Sequence, residues 1–244
     1  MCGAMFRLEH TDGYARLTLN RPEARNAIPA AGWAELAAAI GRVGASDARL
    51  LVVTGAGGTF CAGADLADFP AMRGAEAAAA RFRVAMRAAL DALRGLPIPT
   101  LAVIEGHCYG AGVALAMACD IRIASPSARF AITPAKLGIG YPQEDVHRLV
   151  ELVGLGQAAR ILFTAEPIDG EEARTIGLVD DHMPREAQLI AAILANDRDS
   201  LALLKEAIRC ASSGVRSDAG MDARFDALIA GEEMARRLEA LRRK

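Results

Sequence analysis

Two hydrophobic patterns alternate along the first part of the chain. Between Tyr14 and Asn20 apolar and polar residues take turns, with Ala15, Leu17 and Leu19 on one face. This is the period-two pattern of a half-buried strand, and Arg21-Pro22-Glu23 ends it. Trp33, Leu36, Ala37 and Ile40 then mark one face of a helix, with Pro29 placed as its first-turn proline. From Arg49 to Thr54 the run Leu50-Leu51-Val52-Val53 is continuously apolar, as in a strand covered on both faces. A helix between two such strands predicts a β-α-β unit and a parallel sheet.

The next stretches repeat one arrangement of strand, glycine loop and helix. Gly55 to Leu66 is a loop with no bulky polar side chain before Asp65, and a long helix from Ala75 to Leu93 follows. Pro97 and Pro99 break the chain before the apolar run Leu101 to Ile104, and Gly106 and Gly110-Ala111-Gly112 then lead into the small, apolar segment Val113 to Cys119. That join is a strand feeding a helix N-terminus. The first N–H groups of a helix lack intrahelical partners and the dipole there is positive, so the turn suits an anion or an oxygen that becomes negative during a reaction. In a parallel sheet both loops lie at the carboxyl ends of their strands, where open α/β folds bind ligands. A dinucleotide fingerprint is not met, because the third glycine position holds Leu115 and the chain runs straight into Cys119-Asp120.

Two short strands, Ile121 to Ala124 and Arg129 to Ile132, are predicted on either side of a Ser125-Pro126-Ser127 turn. The loop Thr133 to Pro142 is rich in glycine and proline. Beyond it the pattern is helical: Val146 to Leu152, Gln157 to Phe163, Gly170 to Thr175, Arg185 to Ala195, Ser200 to Arg209, and Asp222 to the end. The expected organisation is an α/β core over residues 1–185 and a helical region over 186–244 that packs on neighbouring subunits.

Composition narrows the function. The chain has 244 residues and ample core material, and a net charge of −2 gives no reason to expect nucleic acid or an anionic membrane as partner. The terminal arginines and Lys244 are interleaved with Glu232, Glu233 and Glu239, as on a solvated helix face. No apolar run reaches membrane-spanning length, and Met1 to Thr11 carries Arg7 and Glu9 where a signal peptide would be apolar, so a cytoplasmic location is expected. The cysteines (Cys2, Cys61, Cys108, Cys119, Cys210) are scattered without a Cys-x-x-Cys pair, and the histidines are isolated. Neither a disulfide framework nor a metal site is suggested, and Cys61 and Cys108 read as small buried hydrophobes. There is no Gly-x-Ser-x-Gly elbow and no phosphate loop.

The motifs together resemble the crotonase superfamily, the enoyl-CoA hydratase/isomerase family. They are Asn20-Arg21-Pro22 with Arg25-Asn26-Ala27-Ile28, the loop Phe60-Cys61-Ala62-Gly63-Ala64-Asp65-Leu66, and Ile104-Glu105-Gly106 through Gly110-Ala111-Gly112 to Ala118-Cys119-Asp120. Ile161 to Ala165 and Ile176 to Asp180 also fit, so the likeness spans nearly the whole chain. It implies a β-β-α spiral core with a C-terminal helical trimerisation region. The assembly would be a homotrimer or dimer of trimers acting on an acyl-CoA thioester, with no cofactor beyond the coenzyme A carried by the substrate. It further implies that the thioester oxygen accepts the N–H groups of Ala64 and Ala111. Ala27, Ala62, Gly63, Asp65, Leu66, Gly110, Pro134 and Leu137 would bind the substrate, with backbone groups near Ala62 and the Asp65-Leu66 segment along the adenine and pantetheine path. Arg25 would meet a coenzyme A phosphate.

The chain departs from the family at the point of proton transfer. The two glutamates that hydratases of the family use fall here on Ala114 and Pro134. An enolate formed without removing a carbon-bound proton fits that loss, and decarboxylation forms one. The stretch Phe130 to Tyr141 is similar to the matching loop of methylmalonyl-CoA decarboxylases, which implies that Tyr141 touches a departing carboxylate. The alternative for Tyr141 is a hydroxyl satisfied locally. A second reading relocates acid/base chemistry to Glu144 or Asp145, against their ordinary role as acids in a first helical turn. A third is an acyl-CoA-binding homologue without catalysis.

Overall fold

The computed structural model describes residues 4–243, so Cys2 and Lys244 lie outside the described residues. The chain opens with a hairpin, β1 (Phe6–Thr11) antiparallel to β2 (Tyr14–Leu19), turned at Asp12-Gly13 with Gly13 at φ 83°. Helix α1 (Gly32–Gly44) leads to β3 (Leu51–Gly55), which pairs parallel with β2, and α2 (Glu76–Arg94) leads to β4 (Thr100–Ile104), parallel to β3. Helix α1 begins after Pro29, not at it. Pro29 lies in a turn closed by the Gly32 N–H on its carbonyl, while the Ala30 N–H is taken by Asp68 Oδ2 at 2.7 Å.

From β4 onward the chain passes back and forth between two sheets. After β4 it makes β5 (His107–Tyr109) and α3 (Ala111–Ala118), then β6 (Ile121–Ala124) and β7 (Arg129–Ala131). Helix α4 (Gln143–Thr164), kinked at Gly154, is followed by β8 (Ile168–Asp169), α5 (Gly170–Thr175) and β9 (Asp181–His182). Among the described residues, one sheet has the order β1-β2-β3-β4-β6-β9 and a smaller one the order β5-β7-β8. The Ser125-Pro126-Ser127 turn therefore joins no hairpin: β6 pairs parallel with β4, and β7 pairs parallel with β5. It steps the chain from the larger sheet to the smaller, and this repeated strand-strand-helix step brings β5 beneath the glycine loop after β3.

Both faces of the larger sheet are covered, as the unbroken apolar runs require. One face packs on α1, α2 and α3 through residues such as Leu17, Leu51, Val53, Trp33, Leu36 and Leu90. The other buries Leu50, Val52, Leu101, Val103 and Ile123 under Leu189, Ile190, Ile193 and Leu194 of α6 (Glu186–Ala195). Helix α6 is thus part of the core packing and seals this face of the sheet. Helix α7 (Arg198–Ser212) is anchored by buried Lys205, whose Nζ lies 2.9 Å from the Ile98 carbonyl and 2.9 Å from Asp120 Oδ2. The same Asp120 oxygen accepts the Thr100 N–H at 2.7 Å, tying the exit of α3 to the start of β4. The final segment is two helices, α8 (Ala219–Ile229) and α9 (Glu232–Arg242), separated at Gly231, and neither buries a residue in this chain. No described helix is long and apolar enough to cross a membrane.

Candidate active site

The loop after β3 is shaped by Asn26. Its backbone is left-handed at φ 57° and its side chain is 2% exposed, which leaves the amide to bond only within the protein. Oδ1 accepts the Arg21 N–H at 2.9 Å, and Nδ2 donates to the carbonyls of Ala56 at 2.9 Å and Thr59 at 2.6 Å. One buried amide therefore clamps the Arg21 turn to the glycine loop. Arg25, also left-handed at φ 51°, accepts the Ala62 N–H on its carbonyl at 2.9 Å while its guanidinium is exposed.

The two glycine turns are stitched together by main-chain bonds. Phe60 N–H donates to Glu105 O, Cys61 N–H to His107 O, and Tyr109 N–H to Cys61 O, with Cys61 and Cys108 paired as bridge partners. Two glycines allow this approach. A Cβ on Gly63 (φ 99°) would lie 2.7 Å from Tyr109 O and 3.2 Å from Ala111 N, and one on Gly112 would lie 2.4 Å from Cys61 O.

Ala64 and Ala111 each leave an N–H free of protein acceptors among the described residues. Ile28 pairs with the extended segment on both sides of Ala64, taking the Asp65 N–H at 2.9 Å and giving its own to Gly63 O at 2.8 Å. Alternation along an extended chain then turns the Ala64 N–H away from Ile28. Ala111 is the first residue of α3, after Gly110 at φ 50° and ψ −116°, so its N–H is one of the unpaired helix-start donors. Ala64 is half-buried and Ala111 nearly fully so. Donors held this way stabilise an oxygen that gains charge, by about 3 to 4 kcal/mol per donor in sites of this kind.

Tyr141 reaches back to the second turn. Its hydroxyl donates to the Gly110 carbonyl at 3.0 Å, so its proton is given to the main chain. Burial pushes the phenol well above its ordinary pKa, and the nearby Asp145 charge adds to the shift. The structure separates the two acids at the start of α4. The Glu144 side chain is 63% exposed and only 3.4 Å from Arg87 Nη1. Asp145 is buried, with Oδ1 2.9 Å from Arg87 Nη1 on α2 and Oδ2 without a hydrogen-bond partner. Burial raises its carboxyl pKa against the opposing effect of Arg87.

The remaining predicted site residues divide by role. Arg21 Nη1 donates to Ala27 O at 2.7 Å and to Asp65 Oδ2 at 3.0 Å, while Asp65 Oδ1 accepts the Ala67 N–H at 3.2 Å. Ala27 and Asp65 thus shape the loop through their polar groups. Ala62 and Pro134 are half-buried, Leu66 and Leu137 are exposed, and Ala114 is buried on α3 without a carboxylate. Between the turn at 66–72 and α2 runs a groove of about 340 Å³ lined by Ala30, Asp68, Met72, Arg81, Phe82 and Ala85. Cys61, Cys108 and Cys119 are buried, and burial pushes the thiols of Cys61 and Cys119 up to about 12, which keeps them protonated. Among the described residues no group of His, Cys, Asp and Glu side chains could hold a metal.

The chain as a whole is similar to known proteins. Residues 9–237 match the family model described as enoyl-CoA hydratase/isomerase. The chain is similar to the short-chain-enoyl-CoA hydratase of Clostridium acetobutylicum, 33% identical over 233 residues that cover 92% of this chain and 87% of that one. Among solved structures it is similar to an enoyl-CoA hydratase/isomerase family protein from Hyphomonas neptunium (TM-score 0.91, 33% identity, 98% and 94% of the two chains). It also resembles the enoyl-CoA hydratase of Bacillus anthracis (TM-score 0.88, 28% identity, 98% and 96%). The chain belongs to the enoyl-CoA hydratase/isomerase family.

Proposed function

We propose that the protein binds an acyl-CoA thioester with its carbonyl oxygen between the Ala64 and Ala111 N–H groups and stabilises the enolate formed there. The observation that supports this reading is the pair of unpaired donors on two turns stitched into contact. Coenzyme A enters as part of the substrate, and no separate cofactor is invoked. Arg25, exposed at the mouth of the first loop, is the candidate partner for a coenzyme A phosphate.

With alanine and proline at the two glutamate positions, the reaction that needs least from side chains is loss of carbon dioxide from a malonyl-type thioester. Its carbon–carbon bond supplies the electrons of the enolate, and no base is required. A second reading is favoured by the unpartnered Oδ2 of buried Asp145: proton transfer in an isomerase or hydratase reaction, in keeping with relatives that are named hydratases. A panel of methylmalonyl-, 2-enoyl- and 3-enoyl-CoA thioesters assayed by mass spectrometry separates the two. Release of carbon dioxide supports the first reading, and hydration or double-bond migration the second. Tight binding without turnover of any of them leaves a binding protein.

The assembly we propose is a homotrimer or dimer of trimers. Phe225, Ile229, Leu238 and Leu241 expose apolar side chains on α8 and α9, and a groove of about 460 Å³ between these helices and α7 is lined mainly by leucine, isoleucine, methionine and phenylalanine. A patch of this kind, on helices that bury nothing in their own chain, calls for a covering surface. Light scattering tests this, with three or six chains expected and a monomer contradicting it.

A further inference from the structure

Gly110 O and Ala111 N belong to the same peptide group. Because that group is planar and trans, its C=O and N–H point in opposite directions, and whatever fixes the oxygen also aims the hydrogen. The oxygen accepts the N–H of Val113 at 3.0 Å and of Ala114 at 3.3 Å, both from the first turn of α3, and the Tyr141 hydroxyl at 3.0 Å from a loop far along the chain. A donor on the carbonyl draws electron density toward the oxygen and leaves the N–H on the opposite side more positive, which strengthens it as a donor in turn. Tyr141 holds its proton at neutral pH, since burial and the Asp145 charge both oppose ionisation, so the hydroxyl stays a donor.

We propose that Tyr141 is a positioning residue for the thioester oxygen: by bonding the Gly110 carbonyl it orients and polarises the Ala111 N–H. The inference rests on the reading that Ala111 donates to that oxygen. It assigns the tyrosine a task on the far side of the peptide from the acyl group, and it links the loop at 133–142 to the strength of the oxyanion site.

The test uses acetyl-CoA labelled with carbon-13 at the acyl carbonyl, bound to the full protein and read by infrared difference spectroscopy. The wild type is expected to lower the carbonyl stretch relative to free acetyl-CoA. Tyr141→Phe, which removes only the hydroxyl, is expected to return a measurable part of that shift and to weaken acetyl-CoA binding by about tenfold, while binding of free coenzyme A stays within about twofold. Placing 3-fluorotyrosine at position 141 makes the hydroxyl a stronger donor and is expected to enlarge the shift, which keeps the test open should Tyr141→Phe fail to fold. A lowered stretch that neither variant changes overturns this inference alone. A wild-type protein that binds acetyl-CoA without lowering the stretch overturns the oxyanion reading and this inference with it.

Discussion

Gly63 and Ala111 meet across the two glycine turns, so closely that a side-chain carbon on the first would stand 3.2 Å from the nitrogen of the second and 2.7 Å from the Tyr109 carbonyl. Gly63 also sits at φ 99°, where an L side chain is strained. Gly63→Ala is therefore expected to push the turns apart, lowering the unfolding free energy by about 2 to 4 kcal/mol and abolishing acyl-CoA binding. Urea denaturation and titration calorimetry check this, and unchanged stability with unchanged binding would contradict the stitched-turn geometry.

Asn26 is the second point of leverage. Replacing it with alanine removes three part-buried hydrogen bonds and leaves the Ala56 and Thr59 carbonyls and the Arg21 N–H without that partner. Loss of about 2 to 4 kcal/mol of stability is expected. Asn26→Asp keeps one acceptor but turns a buried carboxylate toward the two carbonyls, so at neutral pH it should be at least as destabilising as alanine in the same denaturation series.

The pair at the start of α4 gives a pH prediction. Burial raises the Asp145 carboxyl, so the folded state holds that proton more tightly than the unfolded chain. The stability so contributed is complete below the ordinary carboxylate range and is lost as pH rises through the raised value. Asp145→Asn removes this loss, so its melting temperature relative to wild type should climb as pH rises from the ordinary carboxylate range through the raised value. A difference that stays constant with pH would contradict it.

The same pair separates the two chemistries. Should proton transfer be the reaction, Asp145→Asn is expected to cut turnover by about a hundredfold or more, while Glu144→Gln, on an exposed side chain, stays within about twofold. The reverse order would return the role to Glu144.

At the mouth of the site, Arg25→Ala is expected to weaken coenzyme A binding by about three- to tenfold, with an effect that shrinks as salt rises. Calorimetry at two salt concentrations reads this directly. Equal affinities at both would make Arg25 an ordinary surface charge.

Much of the fold could be read along the chain, because its strands carry unbroken apolar runs and its first helices a clear stripe. Strand β1 alternates only over Phe6-Arg7-Leu8-Glu9 before His10 and Thr11 face solvent at the sheet edge, too short a run to stand out, and its clearer sign is the Asp12-Gly13 turn. Strands β8 and β9, of two residues each, are too short to show a period. The site was legible as two glycine turns, but the split between Glu144 and Asp145 was not. Both are acids in a first helical turn within reach of Arg87 from α2, and it is tertiary burial that distinguishes them, enclosing Asp145 and leaving Glu144 exposed. Tyr141 could equally have faced substrate or main chain, and its partner Gly110 is decided by how the loop at 133–142 folds over α3.

The claim beneath all of these is that two main-chain N–H groups converge on one thioester oxygen. A crystal structure with a carba analogue of acetyl-CoA, in which carbon replaces the thioester sulfur, measures it. The account predicts the acyl oxygen within about 2.7 to 3.1 Å of both the Ala64 and Ala111 nitrogens. An acyl oxygen bound by only one of them, or by neither, would contradict it.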